Sequence, residues 1–173
     1  MGSRRKHVVV GVAGALALAV LPAGPAVAHE GSGAGGNLLK ADLVGSQPLD
    51  TPSATPVIAG KRPGGIPWVT DEGSRVRVRR DGRIDVRLKG LVVTAGPFAG
   101  TNPPAVENAV ATLVCGNAVV DSTAPFPLDR AGNGRTRAVI RVPARCQDPV
   151  VLIQPNAAAA PVYIAFTAED DDD

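Results

Sequence analysis

The sequence predicts an all-β protein, an antiparallel β-sandwich that is immunoglobulin-like in architecture only and has one intrachain disulfide. Three observations support this prediction. No segment keeps the 3.6-residue apolar period of an amphipathic helix. Several short segments alternate apolar and polar residues, or are apolar throughout, as strands do. Turn residues recur between these segments, which is typical of an antiparallel sandwich.

The segment SRVRVRRDGRIDVRLKG, residues 74–90, predicts a hairpin. A two-residue turn at Asp81 and Gly82 would mix apolar and charged side chains on each face. A three-residue loop over 80–82, with Gly82 in the left-handed conformation, instead places Val78 opposite Ile84 and gathers the apolar residues on one face. Because one face of the hairpin has to be buried, we expect this second register.

The opposite face of the hairpin is cationic, and it is the candidate binding surface. The register places Arg77 opposite Asp85 but also Arg75 opposite Arg87, and facing like charges are mildly destabilising. An acidic segment, salt or a polyanionic partner would offset this repulsion. The alternative is an ordinary solvated face that keeps an edge from aggregating. The candidate anion-binding residues are Arg75, Arg77, Arg79, Arg80, Arg83, Arg87 and Lys89.

Cys115 and Cys146 are the only two cysteines of the sequence. Together with an export signal they predict a structural disulfide, and a free reactive thiol is the alternative. In the chain-entropy model such a bridge stabilises the fold by roughly 3 to 4 kcal/mol. Trp68 lies upstream of both cysteines, which excludes the antibody-type arrangement of a tryptophan between two cysteines.

A second hairpin is predicted about Gly116 and Asn117. It would place Leu113 opposite Val120, and Val114 opposite Val119. The other predicted strands are 135–143, whose arginines face outward, and 149–154 and 161–168, which are apolar on both faces like central strands.

The first 28 residues have the basic start, apolar run and small-residue end of a secretory signal peptide. The apolar run is shorter than the about 20 residues that a membrane-spanning helix needs, so we expect a secreted, extracellular protein without stable membrane insertion. Gly and Pro residues predict a flexible arm before Trp68. The predicted domains are the signal peptide 1–28, a flexible Gly/Pro-rich arm with short edge strands over 29–64, the β-sandwich 65–168 and an acidic tail 169–173.

Charge is segregated along the chain. The sequence has 18 basic and 16 acidic residues, and the signal peptide contains three of the basic ones. The remainder has 15 basic residues against 16 acidic ones, and five of these acids form the tail EDDDD. Without the tail and the signal peptide, the chain has 15 basic and 11 acidic residues, a net charge of +4.

The sequence lacks the residues that most catalytic and metal-binding sites need. His29 would be the first residue after cleavage, but a copper site needs further ligands and the mature chain has no other His and no Met. Without a His base, serine and cysteine nucleophiles are not expected. Aromatic residues are few, with Trp68 the candidate for exposure, so we expect no nucleic-acid binding. We predict no cofactor and no metal. The carboxylates that remain as candidates for the catalytic pair of a hydrolase are Glu107, Asp121, Asp129 and Asp148.

Residues from about 110 to 168 contain four segments, ATLVCGNAVVDST, FPLDRAGNGRTRAVIRVPARC, DPVVLIQPN and VYIAFTA. In this order they resemble small exported β proteins of actinomycetes with no known activity. The resemblance implies a disulfide-linked β domain and no site residues. We therefore predict a secreted, non-catalytic binding or structural domain that contacts an anionic cell-wall or extracellular polymer through the cationic hairpin. The alternative is an extracellular hydrolase that uses carboxylates the sequence does not identify.

Overall fold

The computed structural model describes residues 36–168, and every regular element in this range is a β-strand. The predicted signal peptide, His29 and the acidic tail lie outside the described residues. The predicted all-β antiparallel fold is confirmed. The strands are β1 (Asn37–Gly45), β2 (Arg62–Pro63), β3 (Trp68–Val69), β4 (Arg75–Arg79), β5 (Arg83–Leu88), β6 (Val92–Val93), β7 (Asn108–Cys115), β8 (Ala118–Ser122), β9 (Phe126–Pro127), β10 (Gly134–Val139), β11 (Pro149–Pro155), β12 (Val162–Tyr163) and β13 (Ala165–Thr167).

One curled sheet contains nine of these strands, in the order β10-β5-β4-β1-β13-β11-β7-β8, with β9 also paired to β7. Strand β1 connects the two halves of the sheet, because residues 37–42 pair with β4 and residues 43–45 pair with β13. We call β1, β4, β5 and β10 the first half, and β7, β8, β9, β11 and β13 the second half. A bridge between Leu128 and Gly134 brings the second half back to β10, so the two halves face each other.

The main core fills the space between the two halves. Val78 and Val86 of the first half are fully buried there, and so are Leu113 and Ile153 of the second half. Full burial of a Val, Leu or Ile side chain contributes about 1.5 to 3 kcal/mol. The alternating pattern of the first hairpin therefore points its apolar side chains to this core and its charged side chains to the outside.

The outer face of the second half is covered by loops. Leu152 and Tyr163 form a smaller cluster there, and Ile58 packs against it. The Tyr163 hydroxyl donates a hydrogen bond to the Pro56 carbonyl oxygen. Burial raises the pKa of Tyr163, which keeps the hydroxyl protonated as a donor. Gln154 is fully buried and donates to two carbonyl oxygens of the loop that follows β11. These loops cover the apolar outer side of β11.

The predicted arm over 29–64 is wrong for residues 37–45, which form the nine-residue central strand β1. Ala41 and Leu43 of this strand are buried, whereas Lys40 is exposed, so β1 also alternates. Gly- and Pro-rich neighbours on both sides conceal the pattern in the sequence. Residues 47–63, which the prediction also assigns to the arm, contribute to the cover over the second half.

Trp68 is buried rather than exposed, with 5% of its surface accessible. It belongs to the main core, and its backbone lies directly against β1 at Gly45. A Cβ at Gly45 would collide with the Trp68 carbonyl oxygen, so only glycine fits this crossing. The chain resumes pairing directly after Pro67, as β3 pairs with β6.

The second hairpin is confirmed in part. Val114 lies opposite Val119 as predicted, but Leu113 lies opposite Asp121 instead of Val120. A β-bulge shifts the register between these pairs. The extra residue lets Val120 pack against the main core, whereas Val119 is left 47% exposed. Bulges accommodate an added residue in this way and bend the strand.

The predicted disulfide between Cys115 and Cys146 is present, with 5.0 Å between the two Cα atoms. It joins the end of β7 to the loop that leads from β10 to β11. The Gly116 amide donates to the Gln147 carbonyl oxygen beside it, at 2.6 Å. The connection between the two halves of the sheet is therefore fixed to the second hairpin.

Candidate anion-binding face

The first hairpin has the predicted register. Val78 lies opposite Ile84 and the loop covers residues 80–82. Gly82 has a φ of 89°, in the left-handed region. A Cβ on Gly82 would also collide with the carbonyl oxygen of Ile140, so the loop packs closely against the segment after β10. The charged side chains of the hairpin consequently lie on the outer face of the first half.

The two flanking strands add charges from outside the hairpin to the site. Strand β1 places Lys40 opposite Arg77, and β10 places Arg135 opposite Arg87. The arginines of β10 were expected to face outward, but their position beside β5 depends on the strand order, which the sequence does not give. We define the cationic face as the basic residues Lys40, Arg75, Arg77, Arg79, Arg83, Arg87, Arg135 and Arg137 with the acidic residues Asp42 and Asp85.

The charges of the cationic face form a grid. One row across the four strands contains Asp42, Arg75, Arg87 and Arg135, and the next contains Lys40, Arg77, Asp85 and Arg137. Neighbouring strands lie about 5 Å apart and alternate residues of a strand about 7 Å apart. Arg79 and Arg83 lie one step nearer the hairpin loop, in a third row, and the eight basic and two acidic residues of the face give it a net charge of +6. Nε of Arg83 also lies 3.5 Å from Oδ2 of Asp81 in the loop.

Asp85 is the carboxylate at the centre of the face, and it pairs with β10. Its Oδ2 atom lies 2.7 Å from Nε of Arg137 and 3.5 Å from Nη2 of Arg135. Arg77 is its cross-strand neighbour, as predicted, but makes no ion pair with a described residue. Within residues 36–168, Arg75 and Arg87 also form no ion pair, and both are exposed. No carboxylate within this range pairs with these guanidinium groups.

Two grooves run between the side chains of the cationic face. One has a volume of about 390 Å³ and the other about 580 Å³, and they share the row of Arg77, Asp85 and Arg137. Val139, 77% exposed, adds an apolar wall to the larger groove. The residues that line the two grooves include one carboxylate, Asp85, and no aromatic side chain. The face is therefore ridged and cationic.

Two of the predicted binding residues lie away from the centre of this face. Arg80 is in the hairpin loop and lines a depression beside the disulfide, together with Arg145. Lys89 follows β5 and lies at the far end of the face, near Asn133 and Arg135. The structure thus gathers Arg75, Arg77, Arg79, Arg83 and Arg87 on one face, leaves Lys89 at its border and separates Arg80 from it.

The carboxylates considered for a hydrolase are not on the cationic face. Asp121 accepts hydrogen bonds from the backbone amides of Arg141, at 2.7 Å, and Ser122, at 2.9 Å, and these lower its pKa. The amide of Asn133 lowers the pKa of Asp129 in the same way. A carboxylate stabilised in its ionised form is a poor proton donor at neutral pH.

The described part of the chain, residues 36–168, contains no group of three or more His, Cys, Asp and Glu residues placed to hold a metal ion. No helix in that range is long and apolar enough to cross a membrane.

Three comparisons with known proteins give no match: no protein-family model, no curated protein and no solved structure is detectably similar to the chain. The resemblance to exported actinomycete proteins therefore stays a prediction.

Proposed function

We propose that the protein is a non-catalytic extracellular binding domain whose cationic face holds an anionic polymer of the cell envelope or its surroundings. The observation that supports this proposal is the composition of the face. Its two grooves are lined by basic side chains with Asp85 as the one acidic side chain. A hydrolase that uses a carboxylate pair would instead need a pocket with converging carboxylates.

Arginine suits this role better than lysine. Its planar guanidinium group can donate two parallel hydrogen bonds to a phosphate, sulfate or carboxylate. Seven of the eight basic residues of the face are arginines, and Arg75, Arg77 and Arg87 are not engaged by carboxylates of the described residues. Their like charges repel each other, and a bound polyanion would remove this cost.

The extent of the face supports a polymeric ligand. Four strands and three rows of residues cover about 15 Å by 14 Å, which exceeds the size of a single phosphate or carboxylate group. The lining residues provide no aromatic platform, so the binding of stacked bases or sugar rings is not supported. The ligand class that fits is a polymer recognised through its repeated charges, such as a wall phosphate polymer or an acidic polysaccharide.

Two features support an extracellular location. A disulfide such as Cys115–Cys146 is stable in oxidising compartments and rare in the cytosol. The first 28 residues have the pattern of a secretory signal peptide. Secretion by this signal is accordingly part of the proposal.

The test is the binding of purified protein to isolated wall phosphate polymer across a salt series. The face variant replaces Arg75, Arg77 and Arg87 with Gln, which keeps part of each side-chain stem. The matched control replaces Arg62, Arg130 and Arg145 with Gln, three exposed arginines away from the face, so that both variants have the same net charge. In the face variant, we expect the slope of log affinity against log salt concentration to become less steep by about 2 to 3.

The control variant should keep the slope of the native protein. An equal loss in the two variants would mean that net charge, and not the cationic face, determines binding. Binding that is indifferent to salt, or no binding by the native protein, would contradict the proposal. Thermal unfolding of all three proteins checks that the substitutions leave the fold intact.

A further inference from the structure

The last described residues lie at the edge of the cationic face. Thr167 pairs with Leu43 of β1, and the Ala168 amide donates to the Asp42 carbonyl oxygen at 3.2 Å. Asp42 belongs to the first row of the face, where it lies opposite Arg75. From this point the sequence continues with the acidic segment Glu169–Asp173, which has five carboxylates in succession. The most acidic segment of the chain therefore begins directly after a residue that lies beside its most basic surface.

We infer that the acidic segment Glu169–Asp173 occupies the cationic face and competes there with anionic polymers. Its position on the face is independent of the proposed function, whereas its competing role rests on that function. The segment resembles the proposed ligand in chemistry, because both are chains of repeated negative charges. Five carboxylates also come close to balancing the net charge of +6 on the face.

The segment is long enough to reach the centre of the face. Five residues span at most about 17 Å when extended. Ala168 lies on the β13 side of β1, so β5 is three strand spacings away, about 15 Å. Lys40 on β1 and Arg75 and Arg77 on β4 are nearer still. Asp42 repels the first carboxylates, so we expect the main contacts to begin with Lys40 and Arg75.

The outer face is a better place for these carboxylates than the sheet edge. If β13 continued along β1 in the present register, Asp170 would lie opposite Lys40 on the outer side, but Glu169 would lie opposite Ala41. Ala41 is buried and faces the core. A carboxylate on that side would lose its hydration without a partner, which is costly. Continuing the strand is therefore unfavourable for Glu169, whereas on the outer face all five carboxylates stay hydrated or lie beside basic side chains.

The acidic segment belongs to the same chain as the cationic face, so weak contacts between the two are sufficient for binding. A segment joined by a short flexible connection acts at a local concentration in the millimolar range. The contacts are electrostatic and lie near the surface, where salt screens them over about 8 Å at physiological ionic strength. The inferred complex is accordingly reversible, and a long polyanion with more charges can displace the segment.

The experiment uses the full chain and two variants with equal charge changes. The segment variant contains Asp170→Asn, Asp171→Asn and Asp172→Asn. The control variant contains Asp50→Asn, Glu107→Gln and Asp148→Asn, which replace exposed acids off the cationic face. The first measurement, without any polymer, is the NMR chemical shift of the Arg75, Arg77 and Arg87 Nε–H groups at low and high salt.

We expect the segment variant to shift these arginine signals at about 0.01 M salt, where the screening length is about 30 Å, and to leave them unchanged at about 1 M. The control variant should leave them unchanged at both concentrations. Unchanged signals in the segment variant at low salt, or equal shifts in both variants, would overturn the inference. This measurement does not depend on polymer binding, so it can fail or succeed separately from the proposed function.

The second measurement is affinity for inorganic polyphosphate. Because the native segment occupies the binding surface, we expect the segment variant to bind about threefold tighter or more at low salt, with the difference vanishing at high salt. We expect a smaller gain in polyphosphate affinity in the control variant, and this gain measures the contribution of net charge alone. Arginine shifts together with equal polyphosphate affinities would overturn the competing role. Shifts without any binding of polyphosphate or wall polymer would overturn the proposed function and leave the contact in place.

Discussion

The two halves of the sheet differ in what lies on their outer faces. The first half exposes a grid of charges, so that β4 alternates exposed and buried residues along its length. In the second half, six consecutive residues of β7 are buried, and loops cover the outer side of β11. Both halves face the same core, so the difference arises entirely outside it. A strand pattern thus indicates which outer faces are covered and which are open to solvent or a ligand.

The outer faces of the two halves contribute differently to stability. Covered side chains such as Leu152 and Tyr163 contribute apolar burial, whereas the cationic face places like charges side by side at some cost to stability. Functional surfaces often break local rules that the rest of a protein obeys. Substitutions in the two regions should therefore have opposite profiles, with large effects on unfolding in the second half and large effects on binding in the first.

Removing the disulfide should have the largest effect on stability. A variant with Cys115→Ser and Cys146→Ser loses a bridge between residues 31 apart in sequence, and we expect the free energy of unfolding to fall by roughly 3 to 4 kcal/mol. Urea unfolding measures this change. Polymer binding at a temperature where the variant is folded should be retained, because the residues that line the depression beside the bridge include none of the cationic face. Lost binding by folded protein would mean that the two regions are coupled.

A matched pair of alanine substitutions tests the comparison directly. Leu152 lies on the covered outer face of the second half, and Leu152→Ala should lower the free energy of unfolding by about 3 kcal/mol through lost burial and a cavity. Arg77 lies on the open outer face of the first half, and Arg77→Ala should change it by less than about 0.5 kcal/mol. Similar losses in both variants would show that the cationic face is also structural.

The sequence predicts those features that depend on neighbours along the chain. The hairpin register followed from the need to place Val78 and Ile84 on one buried face, and the structure has this register. The pairing of Cys115 with Cys146 needed no geometry, because no other cysteine exists. Local patterns of this kind are sufficient for a hairpin and a single disulfide.

Features that depend on strand order could not be predicted. Lys40 and Arg137 lie far from the hairpin in sequence and join the cationic face only because β1 and β10 flank it. The loop before Trp68 looks flexible because Pro and Gly prevent regular pairing, yet Tyr163 fixes it to the sheet through the Pro56 carbonyl oxygen. Long-range contacts determine both features, and composition does not encode them.

The cover over the second half depends in part on one hydroxyl group. Tyr163→Phe keeps the buried ring and removes the hydrogen bond to Pro56, so we expect a loss of about 1 kcal/mol in the free energy of unfolding. Hydrogen exchange should also become faster at the amides of Thr55 and Ile58, which lie in the covering loop. Tyr163→Phe with unchanged exchange there would mean that Ile58 and its apolar contacts alone hold the loop.

The smallest expected effect concerns the contact between β8 and the segment that follows β10. Asp121 accepts from the amides of Ser122 and Arg141, and these bonds lower its pKa. A carboxyl whose pKa is lower in the folded state stabilises the fold above its unfolded pKa, and this stabilisation is lost as the pH falls through the folded pKa.

We therefore expect Asp121→Ala to be less stable than the native protein at about pH 5 and the difference to shrink toward about pH 2. The side chain is near the surface, so solvent screening keeps the effect small. Urea unfolding at several pH values measures the difference. If the two proteins differ by the same amount at every pH, the ionised carboxylate does not contribute to joining the edges of the two halves, and the Arg141 amide must be satisfied in another way.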